Sequence, residues 1–343
     1  MKSISDTAVL LLSLFLFGVS ACSETPVTTL LEPLSDSSRT SADSAVANLT
    51  VKHLKYLCVY YGWPSAVNGS NGNLKQATAA FEQFDIIVLG DGLWKNSHGD
   101  HANTTTIISN LNSAGKAVYG YIDLGISTQN LSYADMKSAV NGWAGMGVKG
   151  IFWDDAGYDY NTTRARQDTM INYCHQKRLS VIMNAWNPDD VMGGSDILLD
   201  SSDIYLLESY LISGNKYTSL SAWKLKADKC AAYELSLGVK MACLSTGDSS
   251  ITASYNTTDP FTQAWTGAAL YNFDYFQATD NNYSATSNTV YYFPNISDTY
   301  GSTWKDTDIS DSANVNYYRS TDSWTLHVRG NGATWGYGGF SQP

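Results

Sequence analysis

Residues 148–157 read VKGIFWDDAG. The run from Val148 to Trp153 has the apolar character of a buried strand. It stops at two adjacent carboxyls, Asp154 and Asp155. Like charges side by side at the end of a buried element raise each other's proton affinity and cost desolvation, so a chain shaped by stability alone avoids them. They mark either a solvated turn or a place where chemistry is done.

The same pattern, a short apolar run that ends in polar or aromatic residues, recurs on both sides of this stretch. YLCVYYGW (56–63), DIIVLGDGL (85–93) and KAVYGYIDLG (116–125) precede it. LSVIMNAWN (179–187), IYLLESYL (204–211), GVKMACLSTG (238–247) and AALYNFDYF (268–276) follow. The segments between them, such as SYADMKSAVNGWAGMG and TTRARQDTMINYCHQKR, carry apolar residues at helical spacing with Ser or Thr near their starts. Near-continuous apolar strands alternating with helices predict a parallel sheet covered by helices. Eight such repeats in about 225 residues predict an α/β fold of the closed (β/α)8 TIM-barrel type, over 51–279. No GxGxxG or GxxxxGK follows any strand, which removes the usual reason to prefer an open nucleotide-binding sheet. Residues 280–343 hold the β-prone runs TVYYF, VNYYRS and WTLHVRG, and predict a small β-rich extension, with a weak eighth helix or a replacement for it.

The chain has 343 residues, 43% of them hydrophobic, enough for one large core. Its formal net charge of −11 argues against nucleic acid, which needs a basic face, and suits a neutral or cationic ligand. The first residues, MKSISDTAVLLLSLFLFGVSAC, carry a lysine and an apolar run from Ala8 to Val19 that is shorter than a membrane span, so 1–22 reads as an export signal. VSAC resembles a bacterial lipobox and would leave Cys22 as a lipidated N-terminus, with cleavage near Ala21 to a secreted form as the alternative. The expected location is therefore the cell surface or outer membrane, with the lipid as the only membrane contact and the protein a monomer. Residues 23–50, rich in Ser, Thr, Asp and Ala, read as a disordered tether. Cys58, Cys174, Cys230 and Cys243 lack zinc-site spacing, and their spacing leaves any disulfide pairing open.

In such barrels chemistry is placed on the face formed by the C-terminal strand ends and the loops after them. Those positions hold Tyr60, Tyr61, Trp63, Asp91, Trp94, Tyr121, Asp123, Asp154, Asp155, Asn184, Trp186, Asn187, Glu208, Tyr210, Asp274 and Tyr275. A single polar residue at a strand end is most simply a solvated turn. A whole ring of acids, amides and aromatic rings, without a His, Lys or nucleophilic Ser or Cys arrangement, points elsewhere. Breaking a glycosidic bond needs one carboxyl to protonate the leaving oxygen and another to act as nucleophile or to activate water, while aromatic faces stack on sugar rings. Asp154 and Glu208, two strands apart, have backbones roughly 10 Å from each other, which allows either a retaining or an inverting separation. HGDH (98–101) is the nearest approach to a metal motif but lacks a third ligand, so neither a metal nor another cofactor is expected. Asp159 and Arg164 read as cap or anchor of the fourth helix, Trp153 as barrel core and Asp85 as structural.

At GIFWDDAGYDY, VIMNAWNP and YLLESY the sequence resembles the spherulin-4-like proteins and the related endo-α-1,4-polygalactosaminidase and galactosaminogalactan-hydrolase barrels. The resemblance covers about Tyr56 to Thr279. It implies hydrolysis of α-1,4-linked galactosamine or N-acetylgalactosamine polymers, with Asp154 an essential acid, Asp155 its partner and Glu208 the second catalytic carboxyl. Tyr60, Trp63, Asp91, Trp94, Tyr121, Asp123, Asn184, Trp186, Asn187, Tyr210 and Asp274 would shape the sugar groove. The second acid of the pair is commonly Glu in that group, and Asp155 is shorter by one methylene. The expected division of labour has Asp154 ionised and Glu208 as general acid, its pKa raised by aromatic neighbours such as Trp153 or Tyr210, or the two roles exchanged. The competing expectations are a glycan-binding barrel without turnover, a hydrolase of another exopolysaccharide, and a structural cell-envelope protein.

Overall fold

A computed structural model describes residues 50–247, 259–297 and 299–342. The export signal, Cys22 and the tether up to residue 49 lie outside the described residues. Eight parallel strands close into a barrel: β1 (Lys55–Tyr60), β2 (Ile86–Leu89), β3 (Ala117–Asp123), β4 (Gly150–Asp154), β5 (Ser180–Asn184), β6 (Ile204–Leu207), β7 (Lys240–Gly247) and β8 (Tyr275–Asp280). Each pairs with its neighbour in sequence, and β8 returns to β1 through Lys55 opposite Tyr275. The (β/α)8 expectation holds.

Helices α1 (Leu74–Phe81), α2 (His101–Ser113), α3 (Tyr133–Met146), α4 (Arg164–Gln176), a single turn α5 (Asp189–Met192), α6 (Leu220–Leu237) and α7 (Pro260–Leu270) surround the strands. Asn73, Ser132, Thr163 and Ser219 cap α1, α3, α4 and α6 by accepting the backbone N–H three residues on, each worth about 1 kcal/mol. Asp159 is therefore not the cap of α4; Thr163 is. Arg164 does anchor that helix, donating to the carbonyls of Val191 at 2.7 Å and Gly193 at 2.8 Å.

Side chains alternate across each strand, so every barrel strand feeds two cores. Leu57, Val59, Val88, Tyr121, Phe152, Ile182, Leu206 and Leu244 pack together in the lumen. Cys58, Ile87, Val118, Trp153, Val181, Tyr205 and Cys243 pack in the shell between strands and helices. Trp153 thus points away from the lumen, and Asp154, the next residue, points into it. Gly120 lets α3 close on β3, since a Cβ there would lie 2.2 Å from the Trp143 ring. All four described cysteines are buried free thiols.

The end of the barrel departs from the sequence reading. Of residues 268–276, expected to form the eighth strand, 268–270 finish α7, 271–274 turn, and β8 begins only at Tyr275. Residues 261–270 are buried on every side, because α7 packs against both the barrel and the C-terminal sheet. A helix without a wet face has no amphipathic period, and its sequence cannot be told from a buried strand. No helix follows β8 among the described residues. The chain ends in an antiparallel meander of β9 (Ser310–Ser312), β10 (Asn316–Ser320), β11 (Thr325–Gly330) and β12 (Gly336–Ser341). The run TVYYF forms no strand, and its Tyr292 packs instead against Tyr56 and Phe84.

Candidate active site

The inward alternation along β4 carries Asp154 to the top of the lumen directly above Phe152, opposite Asp123 of β3. On β5 the same register brings Asn184 inward, and one residue beyond β6 comes Glu208. The Asn184 amide donates to Asp154 Oδ1 at 2.8 Å and also hydrogen-bonds Glu208. The Tyr283 hydroxyl donates to Glu208 Oε1 at 3.1 Å, and its ring stacks on Tyr61 with centroids 5.6 Å apart. A cavity of about 200 Å³ results, lined by Tyr61, Asp154, Asp155, Asp159, Tyr160, Asn184, Ala185, Trp186, Glu208 and Tyr283.

Electrostatics separate the carboxyls. Burial, reinforced by the neighbouring Asp154 charge, pushes Glu208 up to about 7, while the bonds from Tyr283 and Asn184 oppose the rise. Burial also raises Asp154, but Asn184, the Tyr121 hydroxyl and the backbone N–H of Asp155 all donate to it and favour its charged form. Asp155 is driven to about 8 by burial and by the charges of Asp154 and Asp123. It donates a hydrogen bond to Asp123, which is itself raised by burial and receives the Thr128 hydroxyl at 2.8 Å. Asp155 and Asp123 thus share a proton beside Asp154. Asp155 reaches that position through a left-handed backbone, φ 52°, with its carbonyl accepting from Thr162 at 2.9 Å. Such a conformation in a residue other than glycine stores strain and persists only where surrounding bonds hold it.

From the strand-end residues named in the sequence, the cavity collects Tyr61, Asp154, Asp155, Asn184, Trp186 and Glu208. Tyr121 and Asp123 are nearly buried beneath it, where they hold Asp154 and Asp155. The remaining predicted groove residues go elsewhere. Tyr60 faces outward, its ring edge on Phe81 and its hydroxyl donating to the Trp63 carbonyl. Trp63 lies on the surface against His98. Asp91 and Trp94 line a separate hollow of about 180 Å³ beside α3. Asn187 binds Asp190 at 2.9 Å and stabilises the start of α5. Tyr210 is buried between Trp223 and Phe273, and Trp153 points outward, so neither is the aromatic neighbour that raises Glu208. Tyr61 and Tyr283 are the rings that wall the cavity at Glu208, and the Tyr283 hydroxyl lowers rather than raises its pKa. Asp274, displaced by the shift of β8, sits at the opposite end of the barrel, 3.1 Å from Lys52 and accepting the Met241 N–H.

Asp159, Tyr160 and Tyr283 complete the lining without having been anticipated. The first two follow the acid pair directly in GYDYN, a signal masked by their resemblance to a helix start. Tyr283 stands beyond β8, where the misplaced strand hid it. HGDH proves to be a clasp: Asp100 accepts the N–H and hydroxyl of Ser65, and His98 Nδ1 accepts the Asp100 N–H at 3.1 Å. Among the described residues, His175, Asp200 and Asp203 bring possible metal donors within 4.8 Å of one another. They lie at the far end of the barrel, and Asp203 is already bound to His175 and to the N–H groups of Val181 and Asp200.

No family model and no curated protein matches the chain. Among solved structures, it is similar to the glycoside hydrolase domain of PelA from Pseudomonas aeruginosa, with 11% identity, 69% of this chain and 99% of that chain covered, and a TM-score of 0.43. Eubacterium rectale Amy13B gives 8% identity, 84% and 86% coverage, and a TM-score of 0.46. Tryptophan synthase from M. tuberculosis gives 10%, 70% and 86%, and 0.40. Likenesses this distant, spread over different chemistries, carry no statement about the reaction.

Proposed function

We propose that the chain is a glycoside hydrolase that cleaves α-1,4-linked galactosamine or N-acetylgalactosamine polymers at the Asp154–Glu208 pair. The observation that supports this most is the single Asn184 amide bound to both carboxyls inside an aromatic-walled cavity. Influence of one amide on both groups keeps the two carboxyls neighbours across the cavity. Such neighbours suit the separation of about 5–5.5 Å used by retaining enzymes, and we adopt the retaining reading. Glu208, at about 7, is substantially protonated near neutrality and protonates the leaving oxygen. Asp154, whose charged form is favoured by three donors against the rise that burial imposes, attacks the anomeric carbon as the carboxylate and forms a glycosyl ester. Glu208, now ionised, removes a proton from water as that water releases the sugar. Asp155, with its proton shared toward Asp123, orients the pair rather than reacting. The four carboxyls lining the cavity and the net charge of −11 favour a cationic amino sugar. Export through the N-terminal segment, with lipidation at Cys22, would put the enzyme where such polymers are.

The test is release of reducing ends from galactosaminogalactan and from de-N-acetylated polygalactosamine, with Asp154→Asn and Glu208→Gln as controls. Release that both substitutions abolish, with the α-anomer as first product by NMR, is expected. A chain that releases nothing from either polymer refutes the assignment.

A further inference from the structure

A second cavity, of about 240 Å³, opens beside the first and shares Trp186 and Glu208 with it. Its character is different. Leu207, Tyr210, Ala222 and Trp223 make most of its wall apolar, and its one cationic residue is Lys226. The Lys226 ammonium lies 3.1 Å from the centroid of the Trp186 ring and donates to the Trp186 carbonyl at 2.9 Å. This contact covers one face of Trp186 with a positive charge.

The loop that forms the wall is built under strain. Ser209 and Leu211, on either side of Tyr210, both have left-handed backbones, with φ of 54° and 60°. The loop is held by the Tyr210 N–H on the Leu244 carbonyl at 2.9 Å and by the Thr218 N–H on the Leu211 carbonyl at 2.8 Å. Strain of this kind is retained where a wall must be shaped. Behind the wall the Tyr210 hydroxyl and the Trp223 indole N–H are buried against each other, out of reach of the cavity, so the wall presents apolar ring surface.

We propose that this second cavity is a subsite for the acetamido group of an N-acetylated hexosamine bound across the catalytic carboxyls, an inference that rests on the glycosidase assignment above. The methyl group would meet the apolar wall made by Leu207, Ala222 and the Trp223 ring, while the sugar ring stays against Trp186 and Glu208, which both cavities share. A free amine is disfavoured at the same place: it is a cation, it would leave water for an apolar pocket, and it would face the Lys226 ammonium. The two cavities therefore recognise opposite chemistry. The acidic one accepts an amino sugar with its charge, and the apolar one accepts a neighbour, or a substituent, that has been neutralised by acetylation.

The experiment uses the full chain carrying Asp154→Asn, which stops turnover, and measures calorimetric binding of two probes: an α-1,4-linked N-acetylgalactosamine tetramer and its fully de-N-acetylated counterpart. Ala222→Met fills the cavity from the exposed first turn of α6 with a good helix former. Lys226→Gln removes the charge, and melting curves verify the fold of each. Ala222→Met is expected to lower the ratio of N-acetylated to free-amine affinity by roughly 10-fold or more, the usual worth of a methyl-sized hydrophobic contact. Lys226→Gln is expected to lower the same ratio by improving the free-amine probe. A ratio unmoved by both variants, with both probes bound, overturns the subsite and leaves the hydrolase assignment standing. Binding of neither probe, together with no release of reducing ends, removes the hydrolase assignment and the subsite with it.

Discussion

Glu208→Gln should stabilise the fold at pH 8 while destroying activity. The substitution keeps the shape of the protonated side chain and removes its ability to ionise. In the folded chain Glu208 titrates at about 7, against 4.5 ordinarily. A carboxyl whose folded pKa is raised contributes stability that is fully present below its unfolded value and is lost as pH climbs through the folded one. The window is therefore about pH 4.5 to 7, and the full cost is carried above it. At 1.36 kcal/mol per pH unit, the rise corresponds to about 3 kcal/mol, and the open mouth of the cavity reduces the usable amount to roughly 1–3 kcal/mol. Gln at this position escapes that cost. Urea unfolding of both proteins at pH 4.5 and pH 8 measures it directly. The variant should gain roughly 1–3 kcal/mol at pH 8 and be within about 0.5 kcal/mol of the parent at pH 4.5. No gain at pH 8, or the same difference at both pH values, would show that Glu208 is not held protonated by its surroundings, and the general-acid role would lose its basis.

Three further outcomes are expected. Tyr283→Phe removes a hydrogen bond that lowers the Glu208 pKa, so the alkaline limb of the pH–rate profile should move to higher pH, with a fall in rate at its optimum. A limb that moves down would contradict the assignment of that limb to Glu208. Asn184→Ala deprives both carboxyls of their common donor and should lower kcat on the order of 10²-fold with little change in melting temperature. Asp203→Ala, at the far end of the barrel, orphans the Val181 and Asp200 N–H groups and should cost about 3 kcal/mol by urea unfolding, with activity per folded molecule unchanged.

Much of this protein is legible locally. Strand ends such as GIFWDD and the Ser and Thr caps of the helices depend on a few adjacent residues, and their order around the barrel follows from chain order once the alternation is recognised. Asp154 could be placed at the mouth because β4 is short and its apolar run ends abruptly. The failures have one physical source. α7 has no wet face, so nothing in its sequence distinguishes it from a strand, and the resulting shift sent Asp274 to the wrong end of the barrel and concealed Tyr283.

Which rim residues meet is a non-local matter. Tyr60, Trp63, Asp91, Trp94 and Asn187 have the same chemistry and the same strand-end positions as the residues that line the cavity, yet they point outward or serve a neighbouring loop. The difference is one residue of alternation, which sends a side chain into the lumen or into the helical shell, and then the path of each loop. The barrel and its acidic face follow from short-range pattern, because period and hydrophobicity act along the chain. The joining of Asp154 and Glu208 through Asn184, the proton shared by Asp155 and Asp123, and the apolar cavity under Trp186 exist only once distant segments pack, because each depends on burial and contacts that no segment supplies alone.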